Sequence, residues 1–202
     1  MWTFETIIEK DGRQLEISGI EGKESVVDCG PDKGMSISEL IAKYDGELVG
    51  ARTFSRFGTF FPLLVSQREK KIELRFLDNE GTDAFLAGIE IMPDSTFCIQ
   101  DAIGLEKGDE PVMYDAIPDI PVNVVRSPHF TTNILCVDRE LMRDYIEKDT
   151  FVVIIALEGE AWLTSRGDRT LLKAGHTALV SALSTGLIIE PLGEFTALEA
   201  YM

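Results

Sequence analysis

The spacing of apolar positions changes along the chain, from helical near residue 40 to strand-like beyond it. Ile37, Leu40, Ile41, Tyr44 and Leu48 recur at near-helical intervals with polar residues between them. In front of them Ser36-Ile-Ser-Glu39 reads as a capping box, in which a Ser and a Glu three residues apart each satisfy the other's backbone N–H. Gly46 supplies a stop. The pattern predicts one helix over 36–46. Before it, Ile7 to Ile17 holds Asp11-Gly12 between two strand-like runs, a hairpin signal with a type I′ turn.

After the helix the pattern becomes that of strands. Phe60 to Val65 is an apolar run broken by Pro62. From Ile72 to Phe76 the residues alternate, with Ile72, Leu74 and Phe76 on one face and Glu73 and Arg75 on the other. Leu105 to Pro128 carries Pro111, Pro118, Pro121 and Pro128 and predicts an irregular connection between two halves. Phe151 to Leu157 is continuously apolar and β-branched, as in a strand buried on both faces, and Glu158-Gly159 ends it. Ala161 to Ser165, Gly186 to Glu190 and Phe195 to Tyr201 follow as short strands, at a spacing that suggests a sandwich or barrel. Asp138 to Lys148 reads either as a helix on Leu141, Met142, Tyr145 and Ile146 or as a strand pair. Leu86-Ala-Gly-Ile-Glu-Ile-Met-Pro93 resembles Lys173-Ala-Gly-His-Thr-Ala-Leu-Val180, a faint internal repeat of a Gly turn entering an apolar strand.

Charge narrows the function classes. There are 35 acidic residues against 19 Lys and Arg, a formal net charge of −16. Such a surface repels phosphate backbones, which argues against nucleic acid and against anionic membrane surfaces. No apolar run reaches the length that spans a bilayer, and the start lacks the features of a signal peptide. Cys29, Cys98 and Cys136 are scattered and odd in number, which suits a reducing compartment; a cytoplasmic protein is expected.

Several segments in order resemble class I mannose-6-phosphate isomerases. Leu15-Glu-Ile-Ser-Gly19, Glu24-Ser-Val-Val27, Gly30-Pro31, Lys33-Gly34, Ser38-Glu-Leu-Ile41, Glu47-Leu-Val-Gly50, Arg56-Phe-Gly58 and Phe61-Pro-Leu-Leu-Val65 match the N-terminal region of that family. Phe130-Thr-Thr-Asn133, Phe151-Val-Val-Ile154, Glu158-Gly159 and Leu172-Lys-Ala-Gly175 match its C-terminal part. The resemblance implies a mostly β, cupin jelly-roll fold with one or two short helices. It also implies two cupin-like domains, a truncated one over 1–125 and a C-terminal one over 126–202. The chain reads as a shortened, divergent member.

The family's zinc is held by a Gln and a His in a Gln-Val-His-Pro strand, by a Glu further on and by a second His. Carried onto this chain, the Gln-Val-His-Pro slot falls on Arg75-Phe-Leu-Asp78, so Arg75 stands for the Gln and Leu77 for the His. The segment with the ligand Glu is missing between Asn79 and Ala87, and Cys98 stands where the second His belongs. The family's catalytic Arg has no counterpart in Val112-Met-Tyr-Asp115. The resemblance therefore implies no catalytic residues, no metal ligands and no cofactor here. Arg75, Leu77 and Cys98, with Glu73 as neighbour, are the candidate pocket positions. Each has a plainer reading: Cys98 as a small buried apolar residue, and Glu73 with Arg75 as a solvated strand face. His129 reads as a surface loop residue and His176 as a turn or edge residue. Glu5, Glu9, Glu16 and Asp109-Glu110 read as solvated charge.

The expected function is that of an isomerase-like cupin without the zinc site, of reduced or no activity, binding a sugar, a sugar phosphate or a protein partner. The alternative is an active metal-dependent mannose-6-phosphate isomerase. A homo-oligomer, or pairing with a full-length isomerase, is the expected assembly.

Overall fold

The computed structural model describes residues 1–5, 7–9, 12–17, 25–44, 47–57, 63–77, 83–92, 96–100, 112–115, 117–126 and 130–202. Three antiparallel sheets and two helices make it a mostly β protein. A six-stranded sheet is built from β1 (Trp2–Glu5), β9 (Val122–Arg126), β10 (Thr131–Val137), β12 (Val152–Glu158), β15 (His176–Val180) and β17 (Phe195–Tyr201), in the order β1-β15-β12-β17-β10-β9. A four-stranded sheet, from β11 (Leu141–Asp144), β13 (Glu160–Ser165), β14 (Asp168–Lys173) and β16 (Gly186–Pro191), has the order β11-β16-β13-β14. A seven-stranded meander runs from β2 (Ile7–Glu9) and β3 (Gly12–Ile17) through β4 (Leu63–Arg68), β5 (Lys71–Leu77), β6 (Asp83–Ile91) and β7 (Thr96–Gln100) to β8 (Val112–Asp115). The helices are α1 (Ile37–Tyr44) and α2 (Ala51–Phe57).

The six-stranded sheet is the middle layer, and β12 shows why. Val152, Ile154 and Ala156 join a core shared with the four-stranded sheet, including Leu163, Leu172, Leu187 and Ile189. Val153, Ile155 and Leu157 join the core shared with the meander, including Val65, Ile72, Leu74, Ile89 and Phe97. A strand covered on both faces must be apolar at every position, which is the continuous run read in the sequence. The helix α1 closes the second core with Ile37 and Leu40, both fully buried. Its capping box is formed in both directions: Ser36 N–H donates to Glu39 Oε2 at 2.8 Å, and Glu39 N–H donates to Ser36 Oγ at 3.2 Å. No helix among the described residues is long and apolar enough to cross a membrane.

Several sequence expectations are corrected here. Asp138 to Lys148, read as either a helix or a strand pair, holds the single strand β11 followed by a turn, and β11 pairs with β16. Leu141 and Tyr145 pack against the inner core, whereas Met142 and Ile146 are about 70% exposed. Two of the four apolar residues thus turn inward and two outward, so the four do not form one helical face. Leu105 to Pro128 is not wholly irregular, for β8 and β9 lie within it; Pro118 and Pro121 sit just outside β9, where no ladder N–H is needed. The faint repeat is not structural: Gly88 lies mid-strand in β6 opposite Glu73, whereas Gly175 (φ +86°) turns the chain before β15. The hairpin β2–β3 is present, but Gly12 pairs with Glu9 as a strand residue, and Asp11 lies outside the described residues, as do Gly46, Pro62 and His129. The helix α2 went unpredicted.

The sheets do not follow a division of the chain at 125/126. Trp2–Glu5 pairs with His176–Val180, and Val122–Arg126 pairs with β10, so both join the C-terminal strands.

Candidate functional site

On β5 the buried Ile72 and Leu74 face the core, so Glu73 and Arg75 turn to the opposite side of the meander. Pairing register carries that side across the sheet: Lys71 is opposite Glu90, Glu90 opposite Cys98, and Cys98 opposite Met113. The structure therefore brings three of the candidate positions, Glu73, Arg75 and Cys98, to one sheet face. Leu77 ends β5, and its side chain is outside the described set. Arg75 Nη2 donates to Glu73 Oε2 at 3.3 Å, with side-chain exposures of 33% and 52%. A pair this open to water contributes less than about 1 kcal/mol. Cys98 is buried at 8% exposure.

A second polar group, which the sequence reading missed, lies inside the sandwich of the six- and four-stranded sheets. Glu199 on β17 is fully buried. Its position follows from alternation: Phe195, Ala197 and Glu199 share the inward face of β17. Arg143 reaches it from β11, with Nε donating to Oε1 and Nη2 to Oε2, both at 2.8 Å. Tyr145 Oη donates to Oε1 at 2.6 Å, and Asn133 Nδ2, from β10, donates to Oε2 at 2.8 Å. Asn123 on β9 donates in turn to Asn133 Oδ1 at 3.0 Å. Burial pushes the Glu199 carboxyl up, but the hydrogen bonds and charge of Arg143, with Tyr145 and Asn133, outweigh it and hold it below its ordinary value. Burial and the adjacent Glu199 charge push the Tyr145 hydroxyl well up, so it stays a donor. A carboxylate offers about four lone-pair sites. All four are taken here, so Glu199 serves as an internal anchor and has no oxygen left for a ligand.

The signal for this group was a single charge, Glu199, on an inward apolar face. A buried charge needs a partner. Its partner Arg143 was hidden because its own segment read equally well as a helix.

A third polar group ties the N-terminal strand to α1. The buried Asp32 accepts from Lys43 Nζ, from Trp2 Nε1 at 2.7 Å and from Tyr44 Oη at 2.7 Å. Burial raises its carboxyl, but the hydrogen bonds from Lys43, Trp2 and Tyr44 win and lower it to about 2 from 3.8. Asp32 and Glu199 act in the same direction. A carboxylate whose folded pKa is depressed contributes stability above its unfolded value and loses it as pH falls through the folded value. Stability is therefore expected to fall as pH drops from about 4 towards 2. Urea unfolding midpoints across that range check this, and Asp32→Asn should flatten the decline.

His176 opens β15 between its neighbours β1 and β12, with Nε2 3.7 Å from Asp28 Oδ2. It follows the Gly175 turn but does not sit at the sheet edge. The three cysteines are thiols, none in a disulfide.

Comparison with solved structures places this architecture. No family model matches the chain, and no curated sequence matches it. Its sheets are those of the cupin jelly roll. A protein from Archaeoglobus fulgidus assigned as a mannosephosphate isomerase superposes over 99% of this chain and 97% of its own, with a TM-score of 0.64 and 11% identity. The mannose 6-phosphate isomerase of Bacillus subtilis covers 93% of this chain and 89% of its own, at a TM-score of 0.55 and 14% identity. The chain thus has the cupin fold of mannose-phosphate isomerases, in a strongly divergent sequence.

The zinc that this resemblance implies does not fit the positions it points to. Catalytic zinc takes three or so N, O or S ligands and keeps a position open. Arg75 brings a cation already paired with Glu73, Leu77 has no donor atom, and Cys98 is a single thiol. Among the described residues no three His, Cys, Asp or Glu side chains are grouped to hold a metal ion.

Proposed function

We propose that this protein is an isomerase-like cupin that binds a carbohydrate and does not carry out metal-dependent isomerisation. The observation that carries the reading is the chemistry of the face bearing Glu73, Arg75 and Cys98. Where the resemblance puts metal ligands, it has a guanidinium and a carboxylate 3.3 Å apart and one thiol. Aldose–ketose isomerisation moves a proton between adjacent carbons, which requires a group that polarises the oxygens and a base that shuttles the proton. The charge of Arg75 is answered by Glu73, and no metal ligand set stands beside it among the described residues. The names of the solved neighbours make sugars and sugar phosphates the first ligands to try. Three thiols without a disulfide support a reducing compartment, and we infer the cytoplasm.

The test is a coupled assay for interconversion of mannose 6-phosphate and fructose 6-phosphate with zinc, manganese or cobalt added. Turnover at background is the expected result. Turnover typical of an enzyme, abolished by a chelator, would contradict the reading.

A further inference from the structure

At one end of the sandwich, where Met1, Ser165 and Ser184 come together, a cavity of about 430 Å³ opens to solvent. That size lies within the usual range for small-ligand sites, roughly 300–1,000 Å³. Trp2 and Tyr44 line it, their ring centroids 5.1 Å apart and their planes inclined at 58°. Both polar tips are spent on Asp32, which fixes the two rings in place. The hairpin turn between β13 and β14 brings Arg166 and Asp168 to the same cavity. Ser165 pairs with Asp168 across a two-residue turn, Arg166-Gly167, with φ values of +52° and +85°. These are the left-handed values a type I′ turn requires, so the backbone under both charged side chains is defined. Glu47 and Ser184 complete the polar lining.

We propose that this cavity is a binding site for a neutral saccharide. The proposal deepens the carbohydrate-binding reading, on which it rests, by placing the ligand away from the face of Glu73 and Arg75. Locked aromatic rings offer flat apolar surface to the C–H face of a sugar ring at little entropic cost. Carboxylates, a guanidinium and a hydroxyl offer acceptors and donors for its hydroxyl groups. Two cations, Arg166 and the Met1 ammonium, stand beside two carboxylates, Glu47 and Asp168, and the ammonium is 3.8 Å from Asp168. The lining therefore has no excess positive charge, which in a chain of net charge −16 disfavours a phosphate group.

The chain has two tryptophans, so Trp162→Phe leaves Trp2 as the only fluorophore of its kind. Emission from that protein is followed while mannose, glucose, galactose, N-acetylglucosamine, common disaccharides and mannose 6-phosphate are added. A saturable change is expected with at least one neutral sugar, with a dissociation constant near 1 mM, on the order of −4 kcal/mol. The double variant Arg166→Ala/Asp168→Ala, checked for an unchanged unfolding temperature, should weaken binding about tenfold. Mannose 6-phosphate should bind no tighter than mannose. If Trp162→Phe does not fold, the Trp2 indole N–H resonance of the unaltered protein gives the same reading. No saturable change with any sugar, equal affinity in the double variant, or tighter binding of the phosphate would overturn the proposal. Metal-dependent turnover in the coupled assay would remove the preceding reading and leave this titration standing. A failed titration, conversely, leaves the metal question untouched.

Discussion

Arg143→Met is expected to destabilise the protein by about 3–5 kcal/mol, because it strands the Glu199 carboxylate in the core. Glu199 is fully buried and Arg143 is 19% exposed, so little water can replace the lost charge. Two of the four hydrogen bonds to the carboxylate come from Arg143. Tyr145 and Asn133 would remain, but neither carries a compensating charge. Pairing the change with Glu199→Gln should recover most of the loss, since no ion is then left unpaired. Urea unfolding of the single and double variants gives the answer as a coupling free energy. A loss under about 1 kcal/mol for Arg143→Met would mean that the pair behaves as an exposed ion pair.

Gly159→Ala should also cost on the order of 3 kcal/mol, through the backbone instead of charge. Gly159 links β12 to β13 at φ +73°, a conformation that side chains rarely adopt. A Cβ there would lie 2.1 Å from the carbonyl oxygen of Glu194, so one of two turns must move. Both turns flank strands of the inner core, β12 and β17, and neither can shift without disturbing them. For a chain of this size the loss corresponds to a fall of roughly 6–12 °C in the unfolding midpoint. The control is Gly167→Ala, where φ is also positive but nothing lies within 4 Å of the added carbon; it should cost less. Equal losses at the two sites would show that strain and not the clash governs.

These two positions also show what the sequence could and could not reveal. Gly159 was readable because it ends the continuous apolar run of β12, and a run with no polar face belongs to a strand covered on both sides. The capping box before α1 was readable because it is wholly local, its two partners only three residues apart. Arg143 was not readable. Met142 and Ile146 put apolar residues at helical spacing, and only the exposure of both side chains shows that they belong to an alternating strand and its turn. The link from Arg143 to Glu199 spans 56 residues and depends on how β11 and β17 face each other in different sheets. The same limit hid the joining of β1 to β15, which places Trp2 beside Tyr44 and builds one wall of the cavity. Glu73 and Arg75 do share a face, as alternation along their strand predicted, and the register of β5, β6 and β7 brings Cys98 to it. The plainer readings, Glu73 with Arg75 as a solvated pair and Cys98 as a small buried residue, agree with the exposures, although strand periodicity by itself says which residues lie together and not what covers them.

That this protein works without a bound metal, as proposed, is checked by elemental analysis of the protein purified after expression in zinc-supplemented medium. Well under one equivalent of zinc, manganese, iron or cobalt per chain is expected, with no change in unfolding temperature on adding a chelator. One full equivalent of a metal that survives dialysis, and whose removal lowers the unfolding temperature, would contradict it.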